Sequence, residues 1–452
     1  MKLRVLVLLG STCLLGCPGE ETCAPYELNE ELDRCVCPGT TIPPDEDGSC
    51  PSDAGVDAHA DVHMDVPQDS GDTSDVGTDT EPLDAPVDAR PPCDSATTLC
   101  GVEQLCSGGA YNCARLDSRR VACWGDNRYG IVGSRSTLGD VVTTPTQIVS
   151  ISGAAILADE LYCGDTHVCL RNGQDILCWG NSFGGQVGNG TTDAVNEIPS
   201  FVLNRPAETL TSVFIAFDGT CATFDDGTTW CWGSNRGQQL GAGPTTGPQP
   251  QMVRAPELDG ADEITGGTDH ICHRRGSSLR CAGWNSEGQL GDGTNDSSPV
   301  TVAVDVLGGA TRVFGGGLST CAIGTDNRVY CWGWAVTGNR NIPTVVAVPE
   351  GATQLRVSYY HVCAMVDGRP WCWGTNTSGQ LGDGTASPRD APVLVSVVDP
   401  SEVVDISIGW DHSCALMTNG SVRCWGDGER GALGNGRDVD SLSAVQVVAR
   451  PR

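Results

Sequence analysis

The chain has 452 residues, a formal net charge of −30, only 5% aromatic residues, 24 cysteines and 59 glycines. Phosphate binding needs clustered positive charge, and Lys2 is the only lysine in the chain, so a nucleic-acid partner is excluded as an expectation. After the first 15 residues no stretch approaches the roughly 20 apolar residues of a membrane-spanning helix.

Lys2 and Arg4 precede an apolar run to Leu15, the pattern of a secretory signal peptide over residues 1–16. Leu14-Leu15-Gly16-Cys17 resembles a bacterial lipobox, which implies cleavage before Cys17 and lipidation of Cys17. The expected location is therefore outside the cytoplasm, membrane-anchored through the N-terminal lipid alone, at the outer membrane or cell surface. Residues 17–50 hold Cys23, Cys35, Cys37 and Cys50. An even count in an exported chain suggests two disulfides, with connectivity open.

Residues 51–92 carry 11 acidic residues against Arg90 alone. Asp53, Asp57, Asp61, Asp65 and Asp69 recur every fourth residue, but Gly55 and Pro67 interrupt any helix. Low hydrophobicity and like charge predict a disordered, solvated spacer with a root-mean-square span of roughly 35 Å. Cys93, Cys100, Cys106 and Cys163 follow. Cys106 and Cys163 lie seven and six residues before the next cysteine, a placement that would bridge two neighbouring repeats and leave Cys93 with Cys100. The sequence leaves this connectivity open.

From residue 113 a unit recurs seven times: two cysteines nine or ten residues apart, followed in six copies by Trp-Gly. The pairs are Cys113/Cys123, Cys169/Cys178, Cys221/Cys231, Cys272/Cys281, Cys321/Cys331, Cys363/Cys372 and Cys414/Cys424. A period near 50 residues signals a repeat architecture. Spacing and turn chemistry change together. Nine-residue spacings centre on two-residue turns, Asp367-Gly368, Gly276-Ser277 and Gly173-Gln174. Ten-residue spacings centre on three-residue loops ending in a residue suited to positive φ: Gly227, Asn327 or Gly420. Only Asp117-Ser118-Arg119 has unpromising turn chemistry. Both versions place the cysteines directly opposite, within disulfide range, so one cross-strand disulfide per hairpin is predicted.

Each second cysteine leads into a segment such as Trp373-Gly374-Thr375-Asn376 and Gly379-Gln380-Leu381-Gly382, then a Pro-led strand, then a hydrophobic strand into the next cysteine. Four short strands per repeat and no plausible helix predict an all-β propeller over residues 93–452. His412-Ser413-Cys414-Ala415-Leu416, Trp425-Gly426 and Gly431-Ala432-Leu433-Gly434 resemble the repeat of the RCC1 (regulator of chromosome condensation) family. The resemblance covers about residues 103 to 450 and implies a seven-bladed propeller. Three repeats depart from it. Repeat four reads Cys281-Ala282-Gly283-Trp284; repeat three has Gln238 at the first loop glycine; repeat five lacks the Gly-Gln-Leu-Gly loop after Trp332-Gly333. The strand 443–448 is expected to close the ring by pairing with the first blade near Val102 to Leu105.

Candidate chemistry is sparse. Thr223 to Trp230 resembles the Asp-box of sialidases, itself a structural turn, and occurs once. His167, His270, His361 and His412 each sit two residues before a hairpin cysteine, where Tyr111, Gly219 and Ser319 stand in the other repeats. Inter-blade hydrogen bonding is the expected role, in preference to a metal ring. No nucleophile–base pair, phosphate loop or paired-carboxylate signature stands out, so no enzyme activity and no cofactor are expected. The expected function is a surface-displayed, non-catalytic module binding an extracellular protein or glycan. The alternatives are guanine-nucleotide exchange, implied by the family resemblance, and a propeller lyase or hydrolase. Specificity is expected where repeats differ: Ser134 to Thr144, Pro244 to Gln251 and Trp334 to Asn341.

Overall fold

A computed structural model of the chain describes residues 93–133, 136–192, 195–242, 246–334 and 338–449, and two short N-terminal strands. The expected signal peptide, the expected lipidation site Cys17 and the acidic segment 51–92 lie outside the described residues, as do the side chains of Cys23, Cys35, Cys37 and Cys50. The chain divides into two units, Met1–Leu83 and Asp84–Arg452. In the first, Glu27–Asn29 pairs antiparallel with Arg34–Val36.

The second unit consists of seven four-stranded antiparallel sheets, each built from consecutive strands. The first blade is Val102–Ser107, Tyr111–Leu116, Val121–Asp126 and Val141–Gln147. Short turns join its first three strands and the longer loop 127–140 leads to the fourth, a meander without crossover. The first strand of each blade lines a central channel of about 330 Å³. The chain is thus a seven-bladed β-propeller.

In every hairpin between second and third strands the two cysteines face each other in register. The bonded pairs are Cys113–Cys123, Cys169–Cys178, Cys221–Cys231, Cys272–Cys281, Cys321–Cys331, Cys363–Cys372 and Cys414–Cys424, with Cα atoms 4.0–4.1 Å apart. The turns take the backbone conformations that their composition favours: Asp367 and Gly368 both have positive φ, and Gly227, Asn327 and Gly420 close the longer loops. Arg119 also takes positive φ (61°), despite its Cβ. Its guanidinium reaches the neighbouring blade, 2.6 Å from Asp159 Oδ1 and 2.9 Å from Asn172 Oδ1, contacts that offset the local strain. Gln238 likewise adopts the left-handed conformation of the glycine it replaces (φ 58°). Two further disulfides join Cys93 to Cys100, and Cys106 to Cys163 between the inner strands of blades one and two.

Hydrophobic burial concentrates in the seams between blades. Trp425 of blade seven is fully buried among Cys363, Met365, Leu381 and Val395 of blade six. Its indole N–H donates to the Gln380 carbonyl at 3.0 Å. Trp124, Trp179, Trp232 and Trp332 repeat this, donating to the carbonyls of Ala432, Ile131, Gln186 and Gln289 in the preceding blade. Each such residue removes a large apolar surface from water while keeping its one donor paired. In blade four Ala282 stands at this register position, and Leu258, on a short 3-10 turn, joins its buried cluster. The displaced Trp284 is 48% exposed.

Ring closure differs from the expectation. Ser441–Gln446 pairs within its own blade, with Val445 opposite Cys424, so blade seven is complete without a strand from blade one. Blade one is likewise complete. The backbone link runs instead through the segment leading to Val102. Leu99 N donates to Val447 O at 3.1 Å, Ala449 N to Thr97 O at 3.0 Å, and Val102 N to Gly420 O at 3.1 Å. Val447, Leu99, Val102 and Leu105 then share one buried cluster. Closure rests on packing and flanking hydrogen bonds rather than on an exchanged strand.

Candidate ligand-binding face

The second strand of each blade starts at the position held by Tyr111, His167, Gly219, His270, Ser319, His361 or His412. The four imidazoles are buried and each meets the next blade. Nε2 lies 3.0 Å from Thr220 Oγ1 for His167, 2.8 Å from Thr320 Oγ1 for His270, 2.9 Å from Ser413 Oγ for His361, and 3.0 Å from Asn112 Oδ1 for His412. Thr320 and Ser413 donate their own protons to the Gln289 and Gln380 carbonyls, so they accept from Nε2–H. Asn112 does the same with its amide, donating to Ala432 O. Burial pushes the imidazoles down to about 3 or 4, so they are neutral at physiological pH. They knit blade to blade. Among the described residues no group of three metal-ligating side chains occurs.

One step toward solvent the chemistry changes. The loops between first and second strands form a rim around one channel mouth. In every blade the residue after Trp-Gly, or its equivalent, donates its N–H to this rim: Asp126 to Ala110, Asn181 to Thr166, Ser234 to Asp218, Trp284 to Asp269, Trp334 to Leu318, Thr375 to Tyr360 and Asp427 to Asp411, all at 2.8–3.0 Å. Seven equivalent backbone clamps thus hold a rim whose side chains change from blade to blade. The innermost positions are Gly109, Asp165, Phe217, Thr268, Gly317, Tyr359 and Trp410. Backbone bonds run between them: Trp410 N to Gly109 O, Gly109 N to Asp165 O, Asp165 N to Phe217 O, and Thr268 N to Gly317 O.

Aromatic side chains gather over the mouth. The rings of Phe217 and Tyr359, from blades three and six, meet edge to face at 5.2 Å, and Thr268 Oγ1 donates to the Tyr359 hydroxyl at 3.0 Å. Tyr360 continues the contact to Trp334, which is 41% exposed. Trp410 lies over Gly109, where an added Cβ would stand 3.0 Å from the indole and 3.2 Å from Asp165 Oδ1. Glycine is therefore what lets Trp410 and Asp165 come together there.

Carboxylates stand among these rings. Burial first, then the charge of Asp218, pushes Asp165 up to about 8. Burial also pushes Asp218 up to about 6, with Asp269 adding to the rise and Arg236 opposing it. Asp427 is pushed up to about 6 by burial and by the carboxylates of Asp440 and Asp411. Trp410 favours the ionised Asp165 from nearby, yet Asp165 Oδ1 and Trp410 Nε1 are buried without a completed hydrogen bond. On the same face Asp126 is paired with Arg128 and Arg430.

The residues singled out from sequence do not converge on this mouth. The hairpin cysteines lie inside the blades and line no cleft. Cys113, Cys169, Cys221, Cys272, Cys321, Cys363 and Cys414 sit on second strands, and Cys123, Cys178, Cys231, Cys281, Cys331, Cys372 and Cys424 on third strands, all buried. They are a scaffold, not a binding site. The Asp-box turn is structural: Asp226 Oδ1 accepts from Thr228 N at 2.9 Å, at the blade end away from this mouth. The three variable loops follow third strands and so share the mouth's face, with residues 134–135, 244–245 and 335–337 outside the described residues. Asp165, Asp218, Tyr359 and Trp410 were not singled out from sequence. The available signal was the pair of positions preceding each aligned histidine, where the repeats diverge most.

Residues 367–416 and 403–432 match family models described as Regulator of chromosome condensation (RCC1) repeat. Ultraviolet-B receptor UVR8 of Arabidopsis thaliana is 27% identical over 356 residues, covering 74% of this chain and 79% of that protein. E3 ubiquitin-protein ligase HERC2 of Homo sapiens is 25% identical over 355 residues, and the chain spans 7% of its length. Among solved structures, human WBSCR16 superposes with a TM-score of 0.61 at 18% identity, covering 70% of this chain and 86% of that one. Yeast RCC1 (Prp20), solved with Kap60, superposes with a TM-score of 0.60 at 16% identity over 78% of this chain and 85% of its own.

Proposed function

We propose that this chain, which matches RCC1 repeat models over residues 367–432, is an exported lipoprotein whose propeller is a non-catalytic recognition module for a protein partner. The observation that carries the reading is the set of seven equivalent backbone clamps holding a rim of varying side chains around one channel mouth. Such a frame keeps its shape whatever the side chains are, so the side chains are free to be selected for a ligand. Nine bonded cysteine pairs among the described residues of the propeller favour an oxidising compartment. Cys17 would carry the lipid and residues 51–92 would hold the propeller away from the membrane. A protein partner is favoured over a glycan. A lectin built on the repeat would need exposed copies of its Trp and Asn, but these Trp residues are sealed in the seams, and Asn127, Asn235, Asn285 and Asn376 are buried too. The yeast protein of this fold is described by its binding to Gsp1p and histones, a precedent for protein docking on an RCC1 propeller.

Two experiments test the reading. Cys17→Ser is expected to move the exported chain from the membrane to the soluble fraction; an unprocessed N-terminus in the wild type would refute the anchor. Exchange of the loop 246–251 for the corresponding loop of another repeat is expected to change partner capture without changing the melting curve. Turnover of a substrate, abolished by one substitution in the channel, would replace this reading with an enzymatic one.

A further inference from the structure

Three features of the channel face remain unexplained by fold maintenance. Aromatic rings lie only partly buried around the mouth, although burying them in the seams would remove more surface from water. Carboxylates stand close enough to raise one another's pKa. Asp165 Oδ1 and Trp410 Nε1 are both buried, and neither has a completed hydrogen bond. Such groups normally have partners, and each unpaired one is a liability to stability.

We propose that this face captures an arginine side chain of a protein partner, stacked on Trp410 and Tyr359 and paired with the Asp165 and Asp218 carboxylates. The proposal rests on the recognition reading above and names the chemistry of its ligand. A guanidinium is planar, so it stacks on an aromatic ring while its edge pairs with carboxylates; an ammonium does only the second well. Its charge would relieve the repulsion between Asp165 and Asp218. Arg236, near Asp218 and Asp269, is the cation that acts on this group of acids, whereas the charge acting on Asp165 is that of Asp218. Arg128 and Arg430 are held by Asp126. A second copy of this chain is a poor occupant, because a two-fold contact would set acidic face against acidic face.

The test uses the full exported chain and the peptide acetyl-Gly-Arg-Gly-Arg-Gly-amide, compared by calorimetry with its lysine and citrulline counterparts. The arginine peptide is expected to bind at least about tenfold more tightly than either, since each tenfold corresponds to about 1.4 kcal/mol. Asp165→Asn is expected to weaken it by about tenfold, and Trp410→Ala similarly. Trp410→Phe, which keeps an aromatic surface, should restore most of the affinity and guards against misfolding of the alanine variant. At pH 7, binding should release protons from the Asp165 site, whose facing titratable and charged groups are Asp218, Asp269, Tyr359 and Arg236. Equal binding of arginine, lysine and citrulline peptides, or no effect of Asp165→Asn, would overturn the proposal. So would a concentration-dependent dimer abolished by Asp165→Asn, which would assign the face to self-association. If the peptides fail while loop exchange at 246–251 still alters partner capture, the recognition reading stands and this site does not.

Discussion

The seam between blades and the face at the channel mouth are one or two residues apart in sequence, yet they treat polar groups oppositely. At the seam His412 is neutral and its Nε2 is paired to Asn112. One residue earlier Asp411 has its pKa raised by burial and by Asp440; two residues earlier Trp410 leaves its indole N–H without a completed bond. The seam repeats because every blade must dock on the next by the same geometry. The face varies because its backbone is already clamped, which leaves its side chains freer to differ. That contrast separates what holds the ring together from what the ring presents.

Its sharpest test lies in the seam. Trp425→Ala empties a fully buried site and is expected to cost about 3–5 kcal/mol, read as a large fall in melting temperature. A small loss would mean that the seams are not the main source of stability. Removing the Cys414–Cys424 bond by a double alanine substitution is expected to cost about 2–3 kcal/mol, since short loops gain least from closure. Chemical denaturation with and without the bond checks this.

His412→Ala should cost about 1–3 kcal/mol, by losing the buried bond to Asn112 and leaving a cavity in the seam. The seam histidines also set an acid limit. Their folded values, about 3 to 4, lie below the ordinary 6.5. The unfolded chain therefore binds their protons first, so their contribution is full above pH 6.5 and is lost as pH falls toward 4. The face has the opposite sign. Asp165 has a folded value of about 8 against 3.8, so the folded chain keeps a proton that the unfolded chain releases, and its contribution worsens as pH rises from 4 to 8. Asp165→Asn should accordingly raise the melting temperature at pH 8.5 and leave it unchanged near pH 4. Equal effects at both values would show that Asp165 is not held neutral. Trp284→Ser, on the exposed face, should change stability by less than about 0.5 kcal/mol. A larger loss would blur the division between seam and face.

Blade number, hairpin register and the opposed cysteines were legible because they depend on short-range chemistry. The covariation of spacing with Asp367-Gly368 or Gly420 is a property of turns a few residues long. Inter-blade bonding by the histidines was also legible, since equal positions in a repeat meet equal neighbours. Ring closure was misread near Val102, because a strand's place in the period does not say which of two adjacent edges it joins. The turn at Arg119 looked unsuitable because its stabilising partners, Asp159 and Asn172, lie in the next blade.

The amino-acid sequence alone determined the repeat and the propeller. These follow from periodicity, composition and local backbone preference. Only the tertiary structure decided that Asp165, Asp218, Tyr359 and Trp410 form one surface. They come from blades two, three, six and seven, separated by up to 245 residues, and each is ordinary in its own repeat. Closing the ring brings them around a common axis, where burial and like charge give them properties that no single repeat contains.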